Sequence, residues 1–412
     1  MGKRIAAIVF IFICTAIAWA ILGATIVNRT NTSRSELTGK VASTWGSPHE
    51  QSAPKATYIV KTTHPKVTIT DGRRIEETEE ETAICTLPVE SSRVNVALDL
   101  DYRQKGLLWY STYRVRFDGQ YGFRNGSGQD RTVTLQWPYP AEKAVYDDLL
   151  FFANGQPLAV ENQKGFASAV LHVADGEVVL LKVQYGSQGL SQWRYSFGGD
   201  IAQARDFTLR MTTNFRDIDF PENTLSPVRK ETTANGWTLT WNYKNLVSGY
   251  QIAVQMPEKL QPGPLAGEIS FFAPVSLFFF FFLMFIITTM RGIDLHPMNY
   301  FFLAAAFLAF HLLLAYLVDH IAIHFAFMIC SAVSIALVVT YLRLVVGARF
   351  ALREAGVAQF IYLVLFSYAF FFKGFTGLAV TIGVILTLFV VMQMTGRIRW
   401  TERFARPAAV LR

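Results

Sequence analysis

The sequence predicts a membrane α-helical bundle of six transmembrane helices with one large, mainly-β extracytoplasmic domain built as an antiparallel sandwich. Three observations lead there. Hydrophobic residues make up 51% of the 412-residue chain. They concentrate at residues 5–27 and 269–395, in runs that exceed the roughly 20 residues a helix needs to cross a bilayer. Between these blocks, about 240 polar residues alternate apolar with polar positions and carry frequent turn dipeptides, a β signature. Charge is also partitioned: residues 28–268 hold 26 Lys/Arg and 27 Asp/Glu, and the remainder holds 12 and 4. The net charge of +7 therefore sits at the membrane, where it sets topology or meets anionic lipid. That argues against a nucleic-acid partner and leaves the lipid bilayer as the first one.

The elements follow in order. Residues 1–4 form a cytoplasmic N-terminus, and Ile5–Val27 is the first span. A signal-peptide core is about 7–15 residues; this run is longer and continues past the small-residue step Ala18-Trp-Ala20, so the helix is read as retained. Ser33–Thr44 reads as a short helix leading out of the membrane. Residues 28–268 are the outer β-domain. Val94–Leu100, Tyr110–Phe117 and Thr132–Trp137 alternate as half-buried strands. Asp118-Gly119, Asn154-Gly155, Asp175-Gly176 and Asn235-Gly236 suit tight hairpins. Ala167–Ala174 and Glu177–Tyr185 flank one such turn, and Val228–Ala234 and Trp237–Tyr243 another. Trp193, Trp237 and Trp241 fall at core-like positions. Cys85 is alone in the domain, so its stability must come from its own core; Cys14 and Cys330 lie in apolar runs. Pro257–Pro264 reads as the connector back to the membrane.

Residues 269–396 hold five spans, about 270–290, 299–318, 321–342, 357–372 and 375–395. The first has five consecutive phenylalanines, Phe278–Phe282, and Pro274 tolerated in its first turn. Arg343–Gly356 reads as a basic loop, Lys373 as a snorkelling anchor and residues 397–412 as a basic cytoplasmic tail. With both termini inside, inner segments carry eleven Lys/Arg and outer short loops only Lys373, which satisfies the positive-inside rule.

Candidate chemistry is sparse. Polar ionisable residues inside membranes default to a functional hypothesis; mid-span His311 suits a helix–helix hydrogen bond or a proton or ion relay. His320 and His324, four apart with Asp319 beside them, suit a divalent-metal half-site or ordinary interfacial polarity. Asp294, His296, Pro297 and Met298 form a turn whose residues suit helix capping, with an acid–base pair as the other reading. There is no Gly-x-Ser-x-Gly elbow, no His-Glu-x-x-His and no phosphate-binding glycine loop. No catalytic, cofactor-binding or metal residue is assigned, and no cofactor.

Asp294-Leu-His-Pro-Met-Asn-Tyr300, with the Phe/Leu/Ala-rich helix and Val318-Asp-His320 that follow, resembles the membrane region of the CreD family of bacterial inner-membrane proteins. Met394–Trp400, Trp45-Gly46, Arg103-Gln-Lys-Gly106 and Leu209–Pro227 are similar too. Ala53-Pro54 stands where the family more often has Gly-Pro. The resemblance implies a non-enzymatic inner-membrane protein of envelope integrity or envelope-stress response, partnered through residues 28–268 with an envelope protein or the cell wall. It supplies no catalytic residues. A different class shares the layout of one anchor, an outer β-domain and five more helices: YidC-type membrane-protein insertases, or a transporter. Oligomeric state is not legible.

Overall fold

A computed structural model describes residues 2–70, 73–105, 108–198, 202–372 and 374–396. Lys373, the tail 397–412 and Gly106 lie outside the described residues. The chain divides into two compact units, Met1–Glu36 with Leu260–Arg412, and Leu37–Lys259.

The first unit is helical. Six helices among the described residues are long and apolar enough to cross a membrane. They are α1 (Gly2–Trp45), which belongs to this unit as far as Glu36, α2 (Pro262–Arg291), α3 (Pro297–Leu317), α4 (Ile323–Val345), α5 (Ala348–Phe371) and α6 (Thr376–Thr395). Half of the most apolar stretch of α3 is buried but only 6% of that of α1, so α1 lies at the edge of the bundle. The buried core joins Leu277, Phe280 and Met284 of α2 to Phe307, Phe310 and Leu314 of α3, with Ala326 and Cys330 of α4 and Leu363 of α5.

Several boundaries differ from the sequence reading. The expected short helix Ser33–Thr44 is the continuation of α1. Asn28–Ser35 contains no Gly or Pro, and two of its hydroxyls bond back onto the helix, Thr32 donating to Asn28 O at 3.0 Å and Ser35 to Thr32 O at 2.9 Å. Gly46, at φ +119°, ends the helix. Of the expected connector Pro257–Pro264, the stretch 257–261 lies outside helix, whereas 262–264 already belong to α2, whose first prolines fall where the first-turn N–H groups have no helical partner anyway. Pro274 is thus in the helix interior, which bundle packing tolerates. Glycines open the start of α2 to α1: a Cβ on Gly263 would lie 2.4 Å from Thr30 Oγ1, and one on Gly267 3.0 Å from a Val27 methyl. The expected basic loop Arg343–Gly356 is mostly helical. The chain breaks only around Gly347, at φ +124°, and α5 then carries Arg349 and Arg353.

The second unit is β-rich. Its strands are β1 (His49–Ser52), β2 (Lys55–Thr70), β3 (Arg73–Leu87), β4 (Val89–Lys105), β5 (Leu108–Arg124), β6 (Arg131–Pro138), β7 (Tyr146–Ala153) and β8 (Gln156–Pro157). They continue as β9 (Glu161–Gln163), β10 (Phe166–Val173), β11 (Val178–Leu190), β12 (Gln192–Ser196), β13 (Ala202–Thr213), β14 (Arg229–Thr232), β15 (Trp237–Ser248) and β16 (Ile252–Gln255). An eight-stranded sheet runs β14-β15-β13-β4-β5-β11-β7-β8, a five-stranded sheet β3-β2-β6-β10-β9, and a three-stranded sheet β1-β12-β16. Pairing is antiparallel, as the fold class requires, except at β4–β13 and β1–β12. Alternating burial along β4 puts Val94, Val96 and Leu98 inward. All three sheets feed one core: Trp137 of the five-stranded sheet meets Phe151 and Tyr185 of the eight-stranded one at ring separations of 5.7 and 5.5 Å.

Two hairpin readings fail. Asp118-Gly119 lies inside β5. Its glycine serves packing, because a Cβ there would strike the rings of Phe117 and Tyr121 at 2.7–2.9 Å. Asp175-Gly176 is a turn, but it connects strands of two different sheets. Asn154-Gly155 and Asn235-Gly236 do close hairpins. Trp193 and Trp241 are fully buried; Trp237 is half-buried, with Lys230 Nζ 4.1 Å above its ring.

Candidate functional site

The polar groups of the helical unit lie at three levels along α1 and α3. At the first, the turn Arg291–Tyr300 links α2 to α3. Gly292, in the left-handed region at φ +68°, caps α2, its N–H directed to the Thr288 and Thr289 carbonyls. His296 is the N-cap of α3, its Nδ1 accepting from Met298 N at 3.2 Å, with Pro297 following. Asp294 does not cap. Its carboxylate pairs with Arg4 of α1 at 2.7 Å while remaining 91% exposed, so its contribution is small. Arg291 pairs with Glu354 of α5 at 2.5 Å, and that carboxylate is only 16% exposed.

At the far level, Asp319 is committed to α1: its Oδ2 lies 2.9 Å from Arg29 Nη2. The same nitrogen donates to Ala315 O at 2.9 Å, and the guanidinium stands 5.7 Å over the Tyr316 ring. His320 sits exposed in the turn after α3, whereas His324 is on α4 with its ring 5.1 Å from Phe371. The two are therefore not on one helical face, and among the described residues no three His, Cys, Asp or Glu gather for a metal. Arg4 and Arg29 are separated by about 38 Å at helical rise, slightly more than a hydrocarbon core of about 30 Å. The two ion pairs therefore bracket a span-length apolar stretch.

Between them lies His311, fully buried. Its Nδ1 is 2.9 Å from Phe307 O, which fixes Nδ1 as the donor and leaves Nε2 an acceptor. Its ring meets Trp19 of α1 edge-on at 5.4 Å. Nearby helices are tied by side chains that sequence reasoning missed. Gln359 Nε2 donates to Ser334 Oγ at 2.8 Å, and Ser334 donates to Ala306 O at 2.7 Å. Ser276 donates to the Tyr362 carbonyl, and Tyr362 donates to Thr387 Oγ1 at 2.8 Å. Glu354, Gln359 and Tyr362 all lie on α5, which contains two π-helical stretches, Ala351–Ala355 and Phe360–Leu365; such widened turns are frequent at functional sites. Each chain of bonds ends on a backbone carbonyl. Among the described residues the His311 bond and the Gln359–Ser334 bond do not join, and the bonds from Gln359 through Ser334 to Ala306 fasten α5, α4 and α3 together.

The β unit has a polar cluster of its own. His49 is buried, with Nδ1 3.3 Å from Tyr113 Oη and Nε2 3.3 Å from Ser187 Oγ. A serine beside a histidine suggests a nucleophile and its base. Here Ser187 donates to Val145 O at 2.8 Å and Tyr113 to Gln192 O at 2.7 Å. The serine proton is therefore spent on the backbone, and burial pulls the imidazole pKa down to about 4. The serine is thus not poised as a nucleophile; the imidazole N–H can donate to one of the two hydroxyl oxygens, and the cluster ties β1, β5 and β11 together in the core.

The family model described as "Inner membrane protein CreD" matches residues 1–401. No curated protein matches the chain significantly. Among solved structures, the chain is similar to a proposed nutrient-binding protein from Legionella pneumophila at 8% identity and a TM-score of 0.32, covering 57% of this chain and 76% of that one. It is also similar to an M1 zinc metallopeptidase from Deinococcus radiodurans at 13% identity and a TM-score of 0.24, covering 41% and 42%. Likenesses this slight carry no functional argument.

Proposed function

The chain belongs to the CreD family of inner membrane proteins, and on that premise we propose that it supports cell-envelope integrity without catalysing a reaction. In this reading both termini are cytoplasmic and the β unit stands on the extracytoplasmic side. The bundle anchors that unit, and an envelope partner engages it. The observation that carries the reading is that the family match spans residues 1–401 and so takes in both units. Orientation is supported by the basic residues, eleven inside to one outside. The polar clusters support a non-catalytic role, since His49, Ser187, Gln359 and Ser334 are engaged in bonds that hold elements together. An insertase of the YidC type would need a charged residue free in a hydrated groove; Arg29, the arginine beside the α1–α3 contact, is instead paired with Asp319. A clean deletion, complemented with the intact gene, tests the role. The expected outcome is raised envelope permeability and altered sensitivity to wall stress, both restored by complementation. An unchanged envelope would overturn it.

A further inference from the structure

We propose that the outward face of the eight-stranded sheet carries a binding groove for an acidic peptide, held by its carboxylate. The groove follows from strand register. Arg210 of β13, Asn95 of β4, Asp118 of β5 and Gln184 of β11 stand side by side across four adjacent strands. Their inward neighbours Leu209, Val94, Phe117 and Val183 fill the core, so these four side chains face out. One row on, the small side chain of Ala97 lowers the floor between Thr212 and Arg116. The resulting recess has a volume of about 390 Å³, within the range of small-ligand sites.

Its chemistry is unbalanced. Arg116 is neutralised by Asp99 at 3.3 Å. Asp118 is engaged by Lys182 at 3.5 Å and accepts from Gln184 at 2.6 Å. Arg210, which lines the recess, and Arg93, one row beyond its lining on the neighbouring strand, are both exposed and have no acidic partner among the described residues. Each of these two guanidinium groups offers a planar fork matched to a carboxylate. Beside them, Asn95 and Gln184 present carboxamides, which can both donate to and accept from a peptide group. The one aromatic residue lining the recess, Phe117, is turned into the core, so no ring face is available to stack on a sugar. Carboxylate plus amide recognition favours a peptide over a glycan. The proposed function enters only in the peptide's source, the envelope.

The test uses the full-length protein in nonionic detergent, titrated with fluorescently labelled acetyl-Ala-Glu. Inorganic phosphate and phosphatidylglycerol vesicles serve as parallel probes. Saturable, salt-sensitive binding of the dipeptide is expected, weakened about tenfold or more by Arg210→Gln or Arg93→Gln. Ala97→Leu, which fills the floor, should abolish it, and Lys164→Gln on a remote turn should leave it unchanged. Thermal melts of the variants identify any that misfold, and the exposed arginine variants are expected to melt as the wild type. The proposal is overturned if the dipeptide fails to bind at about 10 mM, if both arginine variants bind as the wild type, or if only phosphate or vesicles bind. Binding in detergent does not depend on which side of the membrane holds the β unit. Failure here would leave the topology and envelope role standing, and their failure would leave this result intact.

Discussion

His49 shows how a single buried side chain gives the β unit a pH dependence. Burial lowers its pKa from the ordinary 6.5 to about 4, so between those values the unfolded chain binds the proton and the folded chain does not. Stability from this group is complete above about pH 6.5 and falls as the pH drops toward 4, by roughly 3 kcal/mol at most. Denaturant unfolding followed by tryptophan fluorescence at pH 7.5 and 4.5 should show that loss, and His49→Gln should flatten it. In the bundle, Ser334 stands at the centre of its motif, accepting from Gln359 and donating to Ala306 O. Ser334→Ala strands a buried amide and should cost about 1 kcal/mol. Gln359→Leu removes the amide together with its need for a partner and should cost less. Unfolding in mixed micelles distinguishes the two; the reverse order would contradict the roles given to these residues. Neither pairing is legible in sequence, because a serine on α4 and a glutamine on α5 acquire meaning only when the helices meet.

At the scale of elements, the close approach of α1 to α2 depends on glycine. Gly263→Ala places a methyl within about 2.4 Å of Thr30 Oγ1 and should lower the melting temperature by several degrees, about 1–2 kcal/mol of overpacking. Thr30→Ala in the same chain should restore most of the loss, and a Gly263→Ala protein that melts as the wild type would show that the helices do not meet there. The sequence makes this start of α2 look like a connector, since Pro262, Gly263, Pro264 and Gly267 carry turn chemistry. Only the neighbouring helix reveals that the prolines occupy a first turn and the glycines make room. Asp118-Gly119 misleads for a related reason: a glycine covered by Phe117 and Tyr121 inside β5 cannot be told locally from a hairpin glycine. By contrast, the alternation of Val94–Leu100 and the apolar runs of the spans are read correctly, because burial on one face or in lipid imposes its period on every residue involved. Glu354 and its π-helical setting are hidden in a stretch whose arginines suggest a loop.

At the scale of the whole molecule, the fold class was legible because its determinants are long-range averages: six apolar segments, one alternating polar block, and a charge excess confined to the membrane segments. The candidate site was legible only in part. His311 and Asp319 stand out as polar residues in apolar surroundings, but their partners Trp19 and Arg29 lie about 290 residues away in sequence. No local pattern connects them. The central claim is the orientation that places the β unit outside and both termini inside. It is tested most directly by cysteine accessibility in spheroplasts, after Cys14, Cys85 and Cys330 are replaced by serine. Single cysteines are then introduced as Lys61→Cys in the β unit and Arg343→Cys at the end of α4, and probed with a membrane-impermeant maleimide. The account predicts labelling of Lys61→Cys in intact spheroplasts and of Arg343→Cys only after permeabilisation; labelling of Arg343→Cys from outside with protection of Lys61→Cys would contradict it.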